Sequence, residues 1–122
     1  KRLGMEPVIS RYLSVDEMIP AAGQGILAVQ GRKGETYSWA VRIDTPESRA
    51  AAQAERQFIR TVGGDCTSPC AAHAQISGSG LKLTGLYYKE DSRECLVSTL
   101  AADLSEARQA GERLALRMMK RE

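Results

Sequence analysis

The sequence has almost no excess charge. Seventeen basic and fifteen acidic residues leave a formal +2 over 122 residues, which excludes the strong basic field that holds nucleic acid. It has no acidic tail, internal repeat or low-complexity tract. Long apolar runs are missing as well: all fall far short of the roughly 20 residues of a membrane-spanning helix. The basic start Lys1-Arg2-Leu3-Gly4 lacks the apolar core of a signal peptide. Three cysteines are an odd number without scaffold spacing, so free thiols in a reducing, cytoplasmic setting are expected. No methionine opens the chain, and its pattern starts abruptly. A piece of a longer protein is expected, carrying one domain with a small core of its own.

What is present reads as two unequal parts. Residues 1–12 are a basic, mildly apolar lead-in, with Pro7 interrupting any helix. Ser14-Val15-Asp16-Glu17 has the form of a capping box and predicts a short helical turn ended by Pro20. Residues 21–25 are small and glycine-rich, so backbone can come close to another group there. Ile26-Leu27-Ala28-Val29 reads as a short strand buried on both faces, which needs neighbours that the following segments do not supply. Gly31-Arg32-Lys33-Gly34 is a polar linker, and residues 36–43 read as one or two helical turns.

From residue 45 the signals strengthen. Thr45-Pro46-Glu47 is a helix start, with a hydroxyl cap, proline at the first position and an acid in the first turn. Ala51, Ala54, Phe58 and Val62 recur at helical spacing, and Gly63 or Gly64 is placed as a left-handed cap. Three strands follow. Ala72, Ala74 and Ile76 share one face of the first, and Gly78-Ser79-Gly80 is a hairpin signal. Leu81, Leu83, Gly85 and Tyr87 share a face of the second; Glu90-Asp91-Ser92 turns the chain into the third, over residues 94–101. Asp103-Leu104-Ser105-Glu106 repeats the capping-box pattern before a closing helix striped by Leu104, Ala107, Gly111, Leu114 and Met118. The fold class is α+β: a small three-stranded antiparallel sheet with helices on one face, preceded by a short helix and a strand whose sheet neighbours are missing. The expected division is 1–32 as an upstream part, 33–44 as a linker with a short helix, and 45–122 as the C-terminal α+β domain.

The chemistry centres on Gly63-Gly64-Asp65-Cys66-Thr67-Ser68-Pro69, which holds one thiol on a loop between helix and strand. The helix C-terminus and Asp65 are both negative and oppose thiolate formation, so Cys66 needs cationic help or a potent electrophile. Cys66, Cys70 and His73 match no common zinc spacing, and no metal is expected. Cys70 and Cys95 read as small buried apolar residues near strand ends, and His73 as a polar-face or satisfied histidine. Gly23-x-Gly25 lacks the Walker lysine and the dinucleotide spacing and precedes a strand; it reads as a tight strand entry rather than a phosphate loop.

Two stretches together resemble the hydroxymethylbilane synthase, or porphobilinogen deaminase, family. Pro20-Ala21-Ala22-Gly23-Gln24-Gly25 is similar to its P-A-x-G-Q-G segment, and Gly64-Asp65-Cys66-Thr67-Ser68-Pro69 to its G-x-C-x-x-P loop. Their separation, the intervening Ala54-Glu55-Arg56 and the opening Lys1-Arg2-Leu3-Gly4 also look like the family. Asp65 departs from the common second glycine and alters the thiol's charge surroundings.

The resemblance implies two doubly wound α/β domains forming a cleft, of which residues 1–32 would be a remnant, with a third α+β domain carrying the cysteine; this chain would be the last third. It implies that four porphobilinogen units condense, losing ammonia, into linear hydroxymethylbilane. The chain grows on a dipyrromethane cofactor linked by a thioether to Cys66. An electrophile formed by loss of ammonia is potent enough to be captured without a strongly activated thiol. By the same resemblance Gln24 and Gly25 are cleft residues near the cofactor. The catalytic aspartate and most substrate-binding arginines lie in the absent domains, so no catalytic residue is assigned here and the piece alone is expected to be inactive. The parent is expected to be a monomer without nucleic-acid or membrane partners; the piece is expected to self-associate through residues 26–29. The alternative, of a different class, is a non-catalytic α+β interaction module in which Cys66 is only structural.

Overall fold

A computed structural model describes residues 2–64 and 68–120. Its regular elements are a 3-10 turn over Glu6–Val8, helix α1 (Ala40–Ile43), helix α2 (Pro46–Thr61), strands β1 (Ala71–Ser77), β2 (Gly80–Lys89) and β3 (Glu94–Asp103), a 3-10 turn over Leu104–Glu106, and helix α3 (Ala107–Met119). None of these helices is long and apolar enough to cross a membrane.

The α2 start forms as its sequence dictates. Pro46 stands at the first position, and Thr45 Oγ1 accepts from the Ser48 amide at 3.2 Å, satisfying one of the amides a helix start leaves open. Gly63 ends the helix with φ +72°, and its amide and that of Gly64 donate back to Arg60 and Ile59 carbonyls. The strands form an antiparallel sheet in the order β1-β2-β3. Ser77 pairs with Gly80 across a two-residue loop, and Gly78 supplies the positive φ at its first position. The β2–β3 turn places Arg93 at φ +58°.

Helices α2 and α3 cover one face of the sheet. Ala51, Ala54 and Phe58 from α2 meet Ala107, Ala110, Leu114 and Met118 from α3, over Ala72, Ala74, Leu81 and Leu83. The two helices touch backbone to side: a Cβ on Gly111 would stand 2.3 Å from the Ala54 carbonyl oxygen. The outer strands present edges, and each edge carries a side chain from a helix. Glu55 accepts from the Ala74 amide on β1, and Arg117 donates to Ser98 Oγ and the Thr99 carbonyl on β3. Such contacts blunt edges that would otherwise invite pairing.

Four expectations need correction. Residues 26–29 form no strand: no described segment pairs with them, and Leu27 is 96% exposed while Ile26 packs on the edge of the α+β core. A strand cannot exist without a ladder. Pro7 does not prevent a helical turn but sits inside the Glu6–Val8 3-10 turn, where a first-turn proline removes no needed hydrogen bond. Asp103 makes no side-chain cap; the chain passes through a 3-10 turn, and α3 begins at Ala107. Cys95 is exposed, because odd-numbered residues of β3 face away from the helices. The Ser14 box does form, since Ser14 and Glu17 exchange amide-to-side-chain bonds, but it closes a turn rather than a helix.

Candidate functional site

The residues on either side of the loop after α2 are held by α2 and by the entry to β1. Gly64 leaves room for the Cys70 side chain: a Cβ there would stand 2.4 Å from Cys70 Sγ, so the sulfur would have to shift. The Cys70 amide donates to the Ser68 carbonyl at 2.8 Å, tightening the entry to β1. Asp65, Cys66 and Thr67 lie outside the described residues, so the cysteine singled out by the sequence is bracketed by Gly64 and Ser68. Both of those line one cleft of about 430 Å³, walled by Pro69, Tyr87, Tyr88, Lys89 and Met119. Glu90 and Asp91 stand on the same wall, leaving Lys89 as its one cation among the described residues. The cleft opens at the sheet end where β1 begins and β2 finishes.

The second stretch sits on the β1 side. Gly23 and Gly25 have φ +79° and +83°, which glycine adopts without strain. The Gln24 amide donates to the Ala21 carbonyl, and the Ile26 amide to the Gly23 carbonyl, so residues 21–26 form a compact double turn. Gln24 and Gly25 are exposed and do not line the cleft beside Gly64 and Ser68. The turn touches the α+β unit through the Gly23 amide, which donates to Glu55 Oε2 at 2.7 Å. Ala74, held by the same carboxylate, is four residues past Cys70, about 13 Å along an extended strand. The two stretches therefore share one edge of the sheet.

His73 lies beside Glu55, with Nδ1 3.6 Å from Oε1. It is a half-buried neighbour of a carboxylate, in line with the satisfied reading. Glu55 is the residue the sequence reading underused. It appeared within Ala54-Glu55-Arg56, yet its spacing from Ala51 and Phe58 puts it on the buried stripe. An acid there signals partners, because burying an unpaired carboxylate is expensive. It is 3% exposed, and each oxygen accepts from a backbone amide.

Two family profiles match this chain over different residues. The profile described as "Porphobilinogen deaminase, C-terminal domain" matches residues 50–120, and that described as "Porphobilinogen deaminase, dipyromethane cofactor binding domain" matches residues 1–39. A porphobilinogen deaminase of Ruminiclostridium cellulolyticum is 51% identical over 94 residues, 77% of this chain and 32% of the relative. Those of Alkaliphilus oremlandii and Thiobacillus denitrificans are 41% identical over 118 residues and 39% over 121, covering 97% and 98% of this chain and 40% of each relative. The chain thus spans about a third to two-fifths of the length of these curated relatives. With one profile alone covering more than half of it, the chain belongs to the porphobilinogen deaminase family.

Proposed function

We propose that this chain is the cofactor-carrying portion of a hydroxymethylbilane synthase, a cytoplasmic transferase acting on porphobilinogen, with Cys66 as the covalent anchor. The carrying observation is the framing of Cys66: a glycine-stopped helix on one side, a tightened strand entry on the other, and a cleft that both flanks line. The residues present fit a thioether-linked dipyrromethane in the one respect that linkage demands, a thiol whose flanking residues Gly64 and Ser68 line a cleft. When bound, the cofactor supplies the nucleophilic pyrrole on which the product chain is primed. Tethering makes each condensation effectively intramolecular.

The chain's own residues do three things in this reading. Gly63 and Gly64 stop α2 just before Cys66 in sequence. Tyr87 and Tyr88 line the cleft wall. Gln24 and Gly25 present polar side chain and bare backbone from the neighbouring turn. The wall does not meet the cation demand of a polycarboxylate product: Lys89 stands with Glu90 and Asp91. Arginines with bidentate reach are required from other parts of the enzyme, as is the catalytic acid. The division at residues 1–32, 33–44 and 45–122 belongs to the same proposal.

Intact mass of the whole enzyme tests the reading. It should exceed the sequence mass by one dipyrromethane, and Ehrlich's reagent should colour the protein. An unmodified mass and no colour with Ehrlich's reagent would favour the interaction-module alternative. The 122-residue chain by itself should not turn over porphobilinogen.

The apolar surface of residues 26–43 bears on the state of this chain in isolation. Leu27, Val29, Trp39, Val41 and Ile43 are all exposed around one open groove. Scattered exposed apolar residues are ordinary, but a contiguous patch favours association. Sizing chromatography of the 122-residue chain should show a concentration-dependent shift above monomer. Leu27→Lys with Val29→Lys should return it to monomer, and a strictly monomeric native chain at high concentration would refute self-association here.

A further inference from the structure

Glu55 joins two places far apart in sequence. Its Oε1 accepts from the Ala74 amide at 2.8 Å, and its Oε2 from the Gly23 amide at 2.7 Å. Ala74 belongs to β1, an outer strand paired on one side only; its amide points off the ladder toward α2. Gly23 lies 32 positions before Glu55, in the turn that carries Gln24 and Gly25. Ala22 and Ile26, on either side of that turn, pack against the edge of the core. The carboxylate is therefore satisfied at both oxygens while the turn is docked.

Undocking the turn would take the Gly23 donor away from Oε2. His73 does not replace it: Nδ1 approaches Oε1 instead, and at 3.6 Å. A hydrogen bond to a charged group is stronger than one between neutral partners, so its loss opposes undocking. The same group that closes the sheet edge therefore holds the turn down. The two packed side chains, Ala22 and Ile26, are small or partly exposed, and they give the turn adhesion without fixing its register. The hydrogen bond from the Gly23 amide to the carboxylate supplies that register.

We propose that Glu55 is a positioning residue: a carboxylate latch that fixes the turn of residues 21–26 on the β1 edge and so sets where Gln24 and Gly25 stand relative to the loop leading into β1. The assignment of Gln24 and Gly25 to the cofactor's surroundings rests on the function proposed above; the latch does not.

Amide hydrogen exchange followed by NMR on the 122-residue chain tests it without cofactor or substrate, so its failure is separable from failure of the cofactor reading. In the native chain the Gly23 amide should exchange at least about tenfold more slowly than the amide of Leu27, as a hydrogen bond to a charged group predicts. In Glu55→Gln one acceptor oxygen remains, and the new NH2 faces one of the two amides. Gly23 exchange should then accelerate about tenfold or more while the amides of central strand β2 keep their protection. Glu55→Asp is too short to reach both amides and should behave the same way. Three results would overturn the latch: Gly23 exchanging as fast as Leu27 in the native chain, Gly23 unaffected in Glu55→Gln, or acceleration by the same factor throughout β2 and β3, which marks a purely structural role. The native comparison decides the matter even where a variant fails to fold.

Discussion

Cys66→Ser is expected to remove covalent cofactor loading completely, whereas Cys70→Ser and Cys95→Ser leave it intact. A serine hydroxyl is a far weaker nucleophile than a thiol and gives no thioether. The other two cysteines are placed for different reasons. The Cys70 sulfur packs where a Gly64 side chain would otherwise be. Cys95 is exposed on β3, the strand on the far side of the sheet from β1, opposite Tyr88. Tryptic mapping of the whole enzyme should find the added mass on the peptide containing Cys66. The same mass on a peptide containing Cys95, or an unmodified Cys66 in active enzyme, would refute the assignment. The interaction-module alternative expects all three variants to behave alike.

Where local chemistry and tertiary packing agree, the sequence was readable. Thr45 and Pro46 start α2 because the cap and the fixed proline φ act within one turn. Gly63 ends it, and Gly78 turns β1 into β2, because a positive φ is a local demand that glycine meets. The face assignments on β1 and β2 followed from strict alternation, and Ala72, Ala74, Leu81 and Leu83 are buried accordingly. The failures lie where the determinant is remote. The residues at 26–29 have a strand's composition, but a strand is a relation between segments, and no described segment here pairs with them. Asp103 has a capping residue's chemistry, yet the pairing of Asp103 with Gly80 extends β3 to that point and delays α3. Glu55 was the largest omission. Its two partners are a strand edge and a turn 32 residues away, and no window of local sequence contains both. Of the candidate site, the motif pair was legible as residue types; the shared sheet edge that brings both stretches to one side was not.

Phe58→Ala should lower the unfolding free energy by about 3–5 kcal/mol, the usual cost of truncating a fully buried aromatic. Phe58 is fully buried where α2, α3 and β2 converge. Its ring occupies the space over Gly85: a Cβ on Gly85 would stand 2.6 Å from Cε2 and Cζ, and 3.2 Å from a Leu114 methyl. The absence of a side chain at Gly85 is thus what admits the ring, and the two positions form one packing unit. Small domains have total stabilities of about 5–15 kcal/mol, so this one change removes a large share. The loop that carries Cys66 would suffer with it, because α2 and β1 hold its two ends. A double-mutant cycle separates packing from simple loss of apolar surface. Gly85→Ala alone should cost about 1–3 kcal/mol by overpacking against the ring. In the Phe58→Ala background the added methyl enters the vacated space, so its cost should vanish or change sign, giving a coupling of about 1 kcal/mol or more. Urea unfolding followed by far-UV circular dichroism measures all four corners. Additive effects, or a loss below about 1 kcal/mol for Phe58→Ala, would show that the ring is not the packing centre that joins both helices to the sheet.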